Sequence, residues 1–405
     1  MRSHNPVDQT ALTEQTVLLN RHPIYYSKLN VIGYETQAHS GLGQVSDSQV
    51  DTPAVLKLLA ENLDTLTGNH WGLVTLPQQA ILDGDYNLLP RERVIIGIEE
   101  GPADEQLFKA LAKLSKLGYR VALPFANENL RPLAGPADIL MLNLAQVEGE
   151  SLPARTNASS RQKAKLLVTG IETHEDFELC KELGCDFFQG YFFCTPKVTG
   201  KSVPVQRLAA VRLMAALQNR EVRLQELEDI IRYDVSLSYK LLQFVNSAYM
   251  GLQRDVVSIK HAISMVGIER IRRWASLLLF ASVGNKPREL MVTASIRARM
   301  CERLADSQNE DRQSTFFTVG LLSVLDALLD QPMAEALQGL SLSPEICEAL
   351  VNRSGPLGTT LRAVVAYEQS DWKRHALLRF RPTKLQDSYL ESLRWTHTVT
   401  GGLMI

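Results

Sequence analysis

The stretch KLLVTGIETHEDFELCKELGCDFFQGYFF (165–193) reads as strand, helix, strand. KLLVTGI (165–171) is a short apolar run, and a capping-box start at Thr173 and Asp176 opens a helix. Gly184 stops that helix just before a second apolar, aromatic run, DFFQGYFF (186–193). Moving towards the N-terminus, the same alternation recurs. Further β-rich runs are TVLLN (16–20), LNVIGYE (29–35), WGLVTL (71–76), RVIIGI (93–98), RVALPF (120–125) and DILMLN (138–143). Between two of them, residues 104–117 carry Leu107, Leu111, Leu114 and Leu117 on one helical face, with Gly118 as the stop. β-runs alternating with helices in this way predict a compact (β/α)8-type barrel over residues 16–197. A doubly wound open sheet is the alternative, because closure is not written in the spacing.

From about Val205 the pattern becomes helical throughout. Leu237, Leu241, Phe244, Val245 and Ala248 form one apolar stripe, and Asp234 stands at the N-cap position. Similar periodic stretches follow at 258–282, 290–305, 314–329, 343–352 and 357–368. Gly200 and Pro204 interrupt both patterns. The expected organisation is a tail (1–15), the barrel (16–197), a linker (198–204) and an all-α domain (205–405). The fold class is therefore α/β plus all-α.

The chain has 405 residues, enough for two or three domains at roughly 150 each. Lys and Arg total 43 and Asp and Glu 45, a formal net charge of −2. That balance lacks the global basic excess of a nucleic-acid or membrane-surface binder. Arg254, Arg270, Arg272 and Arg273 form either a local basic patch or a solvated helix face. Five cysteines do not make a disulfide scaffold, and Cys180, Cys185 and Cys194 match no zinc-knuckle spacing. They read as small buried hydrophobes. The N-terminus has no apolar stretch suited to a signal peptide, and the run 274–283 is half a membrane span. A soluble, cytoplasmic protein is expected.

The N-terminal half resembles the EAL domain, the barrel that hydrolyses cyclic di-GMP in intact members. The resemblance is carried by RHPIYYSKLNVIGYE (21–35), LGYRVAL (117–123), ADILMLN (137–143) and IETHEDFELCKELGCDFFQGYFF (171–193). The C-terminal half resembles the HDOD domain, a helical relative of the HD hydrolases. Its matching stretches are DVSLSYKLLQFVNSAY (234–249), SIKHAISMVGIERIRRW (258–274), FTVGLLSVLDALLDQPM (317–333) and AYEQSDW (366–372).

The resemblance implies a site at the C-terminal ends of the barrel strands, where paired divalent ions need oxygen ligands. The signature tripeptide falls on Glu35-Thr36-Gln37, so the first metal ligand is kept. The expected phosphate-clamp arginine falls on His39, the Asn ligand on Thr75 and the Glu ligand on Gly97. Pro124-Phe125 replaces an Asp-Asp pair, Met141 replaces a lysine and Asn143 an aspartate. Thr169 and Gly170 replace a Glu and a Lys, while Glu172 and Gln189 look retained. Of the eight histidines none is followed by Asp, and Gly320–Asp326 puts small or apolar residues where an HD site has ligands. His261 reads as a helix-surface residue.

These replacements lead to the expectation of a catalytically inactive signal-transduction protein with no metal and no cofactor. It would act through an unknown protein partner on the HDOD surface, with Asp234, Lys240, Asn246 and Ser247 as the signature residues to test. Loss of the clamp and metal positions argues against tight binding of cyclic di-GMP, and a homodimer is among the assemblies the resemblance allows. Two alternatives stand beside this expectation: a cyclic di-GMP receptor that does not hydrolyse, and a weak cyclic di-GMP phosphodiesterase.

Overall fold

The computed structural model describes residues 17–40, 52–125 except 103, 137–147, 152, 156, 164–197 and 205–403 except eight short stretches (219–223, 234, 247–255, 283–285, 306–309, 339, 341 and 375–376). The tail 1–15 and the linker 198–204 lie outside the described residues.

Eight strands close into a barrel in chain order: β1 (Val17–Tyr25), β2 (Val31–Ser40), β3 (Trp71–Leu76), β4 (Val94–Ile98), β5 (Arg120–Pro124), β6 (Ile139–Asn143), β7 (Lys165–Thr169) and β8 (Phe187–Gln189). Each falls on one of the β-runs read from the sequence, and closure settles the choice against an open sheet. β1 departs from the repeating (β/α) pattern. It runs antiparallel to both neighbours and forms a hairpin with β2, whereas β2 to β8 are parallel. Helices α1 (Thr52–Thr67), α2 (Gln78–Asp83), α3 (Glu105–Lys116) and α4 (His174–Glu182) pack outside. The cap read from sequence at Thr173 is formed, with the Asp176 N–H donating to Thr173 Oγ1 at 3.0 Å, and Asp104 caps α3 by accepting from the Leu107 N–H at 2.7 Å. The lumen is filled by Ile24, Leu73, Ile95, Ala122, Ile139 and Leu167, so the barrel is a packed core with its opening at the strand ends.

The final run does not continue as a strand to 193. β8 stops at Gln189, because the chain at Gly190 passes against Ile171, and any Cβ there would sit 1.8 Å from the Ile171 carbonyl oxygen.

The remaining helices are α5 (Val205–Gln218), α6 (Leu224–Tyr233), α7 (Val235–Val245), α8 (Ile259–Val266), α9 (Ile268–Ser282), α10 (Arg288–Leu304), α11 (Glu310–Leu322), α12 (Leu325–Leu329), α13 (Met333–Ala336), α14 (Pro344–Val351), α15 (Gly355–Glu368) and α16 (Pro382–Leu403). α10 is the central rod, packed on α11, α15 and α16. None of the described helices is long and apolar enough to cross a membrane.

The helical part seals the barrel. β1 meets β8 only through Ile24 with Gln189 and Tyr25 with Phe188, so much of that edge of β1 lacks a strand partner. At Leu19 the helices supply what a strand would: the Leu19 N–H donates to Gln386 Oε1 at 2.7 Å, and the Tyr367 hydroxyl donates to the Leu19 carbonyl at 2.9 Å. Alongside, the buried Arg21 guanidinium lies 3.9 Å from the Tyr34 ring centroid, donates to Leu66 O, and faces Glu289 of α10 at 3.8 Å. Deeper in the helical part, Arg297 and Glu368 form a bidentate pair at 2.8 and 2.7 Å, both side chains buried.

Removing one member of such a pair strands the other in a low-dielectric interior. Glu368→Ala is expected to cost about 3–5 kcal/mol in urea unfolding. Arg91→Ala, which breaks the exposed Arg91–Glu92 pair, is expected to leave the midpoint almost unchanged.

Candidate functional site at the barrel mouth

Alternation along the strands delivers the site. β2 turns Glu35, Gln37 and His39 to the mouth, and β1, antiparallel to it, brings Asn20 and His22 alongside. β3 and β4 add Thr75 and Gly97, β6 Asn143, β7 Thr169 and β8 Gln189. A cleft of about 450 Å3 opens over Glu35, Gln37, His39, Thr75 and Glu99. Glu35 is held by Gln189, whose Nε2 donates to Glu35 Oε2 at 3.1 Å. Burial pushes the Glu35 carboxyl above its ordinary value, and hydrogen bonds from Gln189 and Gln37 partly offset this.

Other mapped positions have local structural roles. Thr36 turns away and donates to Leu73 O at 3.4 Å. Gly97 sits so close to β3 that a Cβ would lie 2.7 Å from Thr75 Oγ1. Pro124 ends β5, Phe125 is buried, and its N–H donates to Met141 O at 2.7 Å. Asn143 caps the following turn by accepting from the Ala145 N–H. Gly170 adopts a φ of +74°, and Glu172 is exposed on the rim of a neighbouring cleft of about 630 Å3. The Cys194 thiol is pushed up by burial, which fits an inert side chain, and Cys180 and Cys185 are buried. In the helical part, Asn246 ties its segment to Val256 through two hydrogen bonds of 2.9 and 2.7 Å, and Lys240 is exposed. Asp234, Ser247 and Arg254 lie outside the described residues. The arginine-rich stretch is not a uniform solvated face: Arg272 is buried and donates to Leu217 O, and Arg273 pairs with Glu302.

One element at the mouth had no functional reading in the sequence. AYEQSDW (366–372), at the end of α15, folds over the β1–β2 side of the barrel. Ser370 Oγ donates to Gln37 Oε1 at 3.0 Å, accepts from Asn20 and lies 2.8 Å from His22 Nε2. Trp372 stacks on His39 with ring centroids 5.3 Å apart and planes 5° from parallel. Ser370 adopts a φ of +59°, a backbone state disfavoured for a residue with a Cβ and held here by these contacts. Tyr191 fixes the segment's root by donating to the Glu368 carbonyl at 2.8 Å. In the sequence AYEQSDW stands only as a stretch that matches the HDOD domain, and nothing in it says which surface the turn meets.

Paired divalent ions need several oxygen ligands each. Among the described residues no group of three His, Cys, Asp or Glu side chains is placed to hold a metal ion, and Glu35 is flanked by Gln37, Thr75 and Gln189. The described donor set does not fit a two-metal centre.

A family model for the HDOD domain matches residues 203–341, and one for the EAL domain matches residues 148–196. The chain is 29% identical over 409 residues to the cyclic di-GMP phosphodiesterase CdgJ of Vibrio cholerae, covering 96% of this chain and 94% of that one. It is 26% identical over 405 residues to the uncharacterized protein YuxH of Bacillus subtilis, covering 95% and 98%. Among solved structures, an EAL domain protein from Listeria monocytogenes EGD-e aligns with a TM-score of 0.36 at 20% identity, over 44% of this chain and 87% of that chain. The end-to-end likeness to CdgJ overturns the expectation of a non-enzymatic, catalytically inactive protein. A relative that aligns over nearly the whole of both chains is named as a phosphodiesterase, so replacements at the mapped strand ends do not establish inactivity. Those positions also do not count every donor, since 126–136 and most of 148–163 lie outside the described residues.

His22 and His397 carry a pH signature. Burial lowers the pKa of each to about 4 from an ordinary 6.5. Between those values these two sites bind more protons in the unfolded chain than in the folded one, so their contribution, read against a His22→Gln, His397→Gln variant, is expected to fall as pH drops from about 6.5 to about 4. The sign is opposite to that of Glu35 and Glu289, whose pKa values burial raises. Urea midpoints measured across that range check the sign. The second prediction concerns the covering segment. Ser370→Gly combined with Trp372→Ala is expected to expose His22 and raise its pKa towards 6.5, read by NMR titration of the ring protons.

Proposed function

We propose that this chain, in which an EAL barrel is joined to an HDOD domain, is a cytoplasmic protein that binds cyclic di-GMP at the barrel mouth and hydrolyses it slowly. In this reading residues 16–197 form the EAL unit and 205–405 the HDOD unit. The observation that carries it is Glu35, a carboxyl of raised pKa beside a cleft of ligand size, in a chain alike from end to end to a named cyclic di-GMP phosphodiesterase.

The chemistry asked of the residues is modest. A water oxygen attacks one phosphorus, Glu35 takes the water's proton, and the P–O3′ bond breaks as O3′ takes a proton from solvent, leaving a linear dinucleotide. A carboxylate of raised pKa is a better proton acceptor than an ordinary one, and a single general base supplies about 10²–10⁴-fold. That contribution alone makes a slow enzyme. Gln189 orients Glu35, and the covering segment limits access from the β1–β2 side.

Full-length protein at high concentration, incubated with cyclic di-GMP in the presence of Mg²⁺ or Mn²⁺, is expected to release the linear product slowly. The rate should rise with pH through the titration of Glu35, and Glu35→Gln should lower it at least 100-fold while leaving binding measurable by calorimetry. Absence of product together with a flat titration at micromolar protein would overturn the proposal.

A further inference from the structure

The helical part carries a polar cleft of about 790 Å3 that shares no lining residue with the barrel mouth. Its walls hold four arginines, Arg270, Arg273, Arg299 and Arg303, against two glutamates, Glu269 and Glu302. Glu302 is buried and clamped from both sides, by Arg273 and by Arg299 at 2.6 Å each. Glu391, behind the wall, takes Arg299 at 2.9 Å and Arg303 at 3.3 Å. These pairs use only part of the guanidinium donor capacity. The Nε–H groups of Arg273 and Arg299 are buried without a hydrogen-bond partner, and Arg270 is exposed and has no salt-bridge partner among the described residues.

Two of these guanidinium groups lie near aromatic rings. Arg273 lies over Phe317 and Arg299 over Trp395, each 5.7 Å from the ring centroid. The first turn of α9 closes one side: Gly267, at φ +95°, turns the chain so that the N-terminus of this 15-residue helix borders the cleft. A helix N-terminus and held, under-used guanidinium groups favour the same kind of ligand, a multiply charged oxyanion. Among the described residues no aromatic side chain lines the cleft.

We propose that this cleft is a binding site for a diphosphate group, recognised by Arg270 and Arg273 near the start of α9 and by Arg303 in the last turn of α10. The site is independent of the barrel and stands whether or not the mouth acts on cyclic di-GMP. A diphosphate reaches it either as free pyrophosphate or as part of a nucleotide, and the two sources separate in one experiment.

Full-length protein is titrated calorimetrically with inorganic pyrophosphate and, separately, with a nucleoside diphosphate, each at two salt concentrations. Saturable binding that weakens with salt is expected. Equal affinities point to the phosphates alone, and tighter binding of the nucleotide points to the larger molecule as the natural source. Either supports the site. Arg270→Ala, at an exposed side chain outside the ion-pair network, should weaken binding about tenfold. Arg362→Ala, an exposed arginine elsewhere, should leave it unchanged. No binding of either probe, or equal losses in the two variants, would overturn the proposal.

Discussion

The buried Arg297–Glu368 pair holds the molecule's two most consequential elements in place. Arg297 sits in the middle of the central helix α10 and Glu368 at the last turn of α15. A charge pair in a dry interior is a poor source of net stability against an apolar alternative, but it fixes register, because sliding α15 by one turn would leave both charges unpaired. That register decides where the chain leaves α15. The next four residues therefore land on the barrel mouth, Ser370 among Asn20, His22 and Gln37, and Trp372 against His39. A conserved-volume apolar pair at 297 and 368 would hold the helices together without specifying that landing point.

The contact between the halves combines a continuous apolar core with a set of buried polar groups, and the polar set bears on how the halves are held. Arg21, Tyr34, Glu289, Gln386 and Tyr367 are buried or nearly so, and they bond across the boundary with few donors left over. Apolar contacts tolerate small sliding, whereas hydrogen bonds in a low-dielectric setting tolerate little. The positions of β1 and β2 are therefore tied by hydrogen bonds to α10, α15 and α16.

Much of the fold was legible in the sequence because strand and helix periods are local properties. Eight apolar runs, the cap at Thr173 and the change of grammar near residue 200 all needed only neighbours a few residues apart. The antiparallel β1 was not legible, since direction depends on what a strand meets and not on its own residues. Nor was the early end of β8, which is set by the approach of Ile171 to Gly190. At the site, Glu35, Gln189 and the strand-end positions could be placed by resemblance, but their consequence for activity was misjudged. Counting lost ligands one position at a time treats the barrel as if its own strands were the whole site. The segment 368–372 comes from nearly 200 residues further along the chain and carries no motif that announces its destination. The two pairings of the arginines in 270–273 were equally hidden: Arg272 and Arg273 are separated by one residue step, yet one bonds a backbone carbonyl of α5 and the other a glutamate of α10.

The short seam between β1 and β8 bears on how such a protein can be rearranged over evolutionary time. A barrel closed by its own strands can be cut out, duplicated or fused to new neighbours, since nothing is exposed by the cut. Here the exposed edge of β1 borrows Gln386 and Tyr367 from helices that follow it by more than 340 residues. Excised alone, the barrel would present unpaired backbone groups along a strand edge, the kind of surface on which chains pair with one another. A change at Gln386 or Tyr367 on α16 or α15 would therefore unpair backbone groups of a strand laid down at the other end of the sequence.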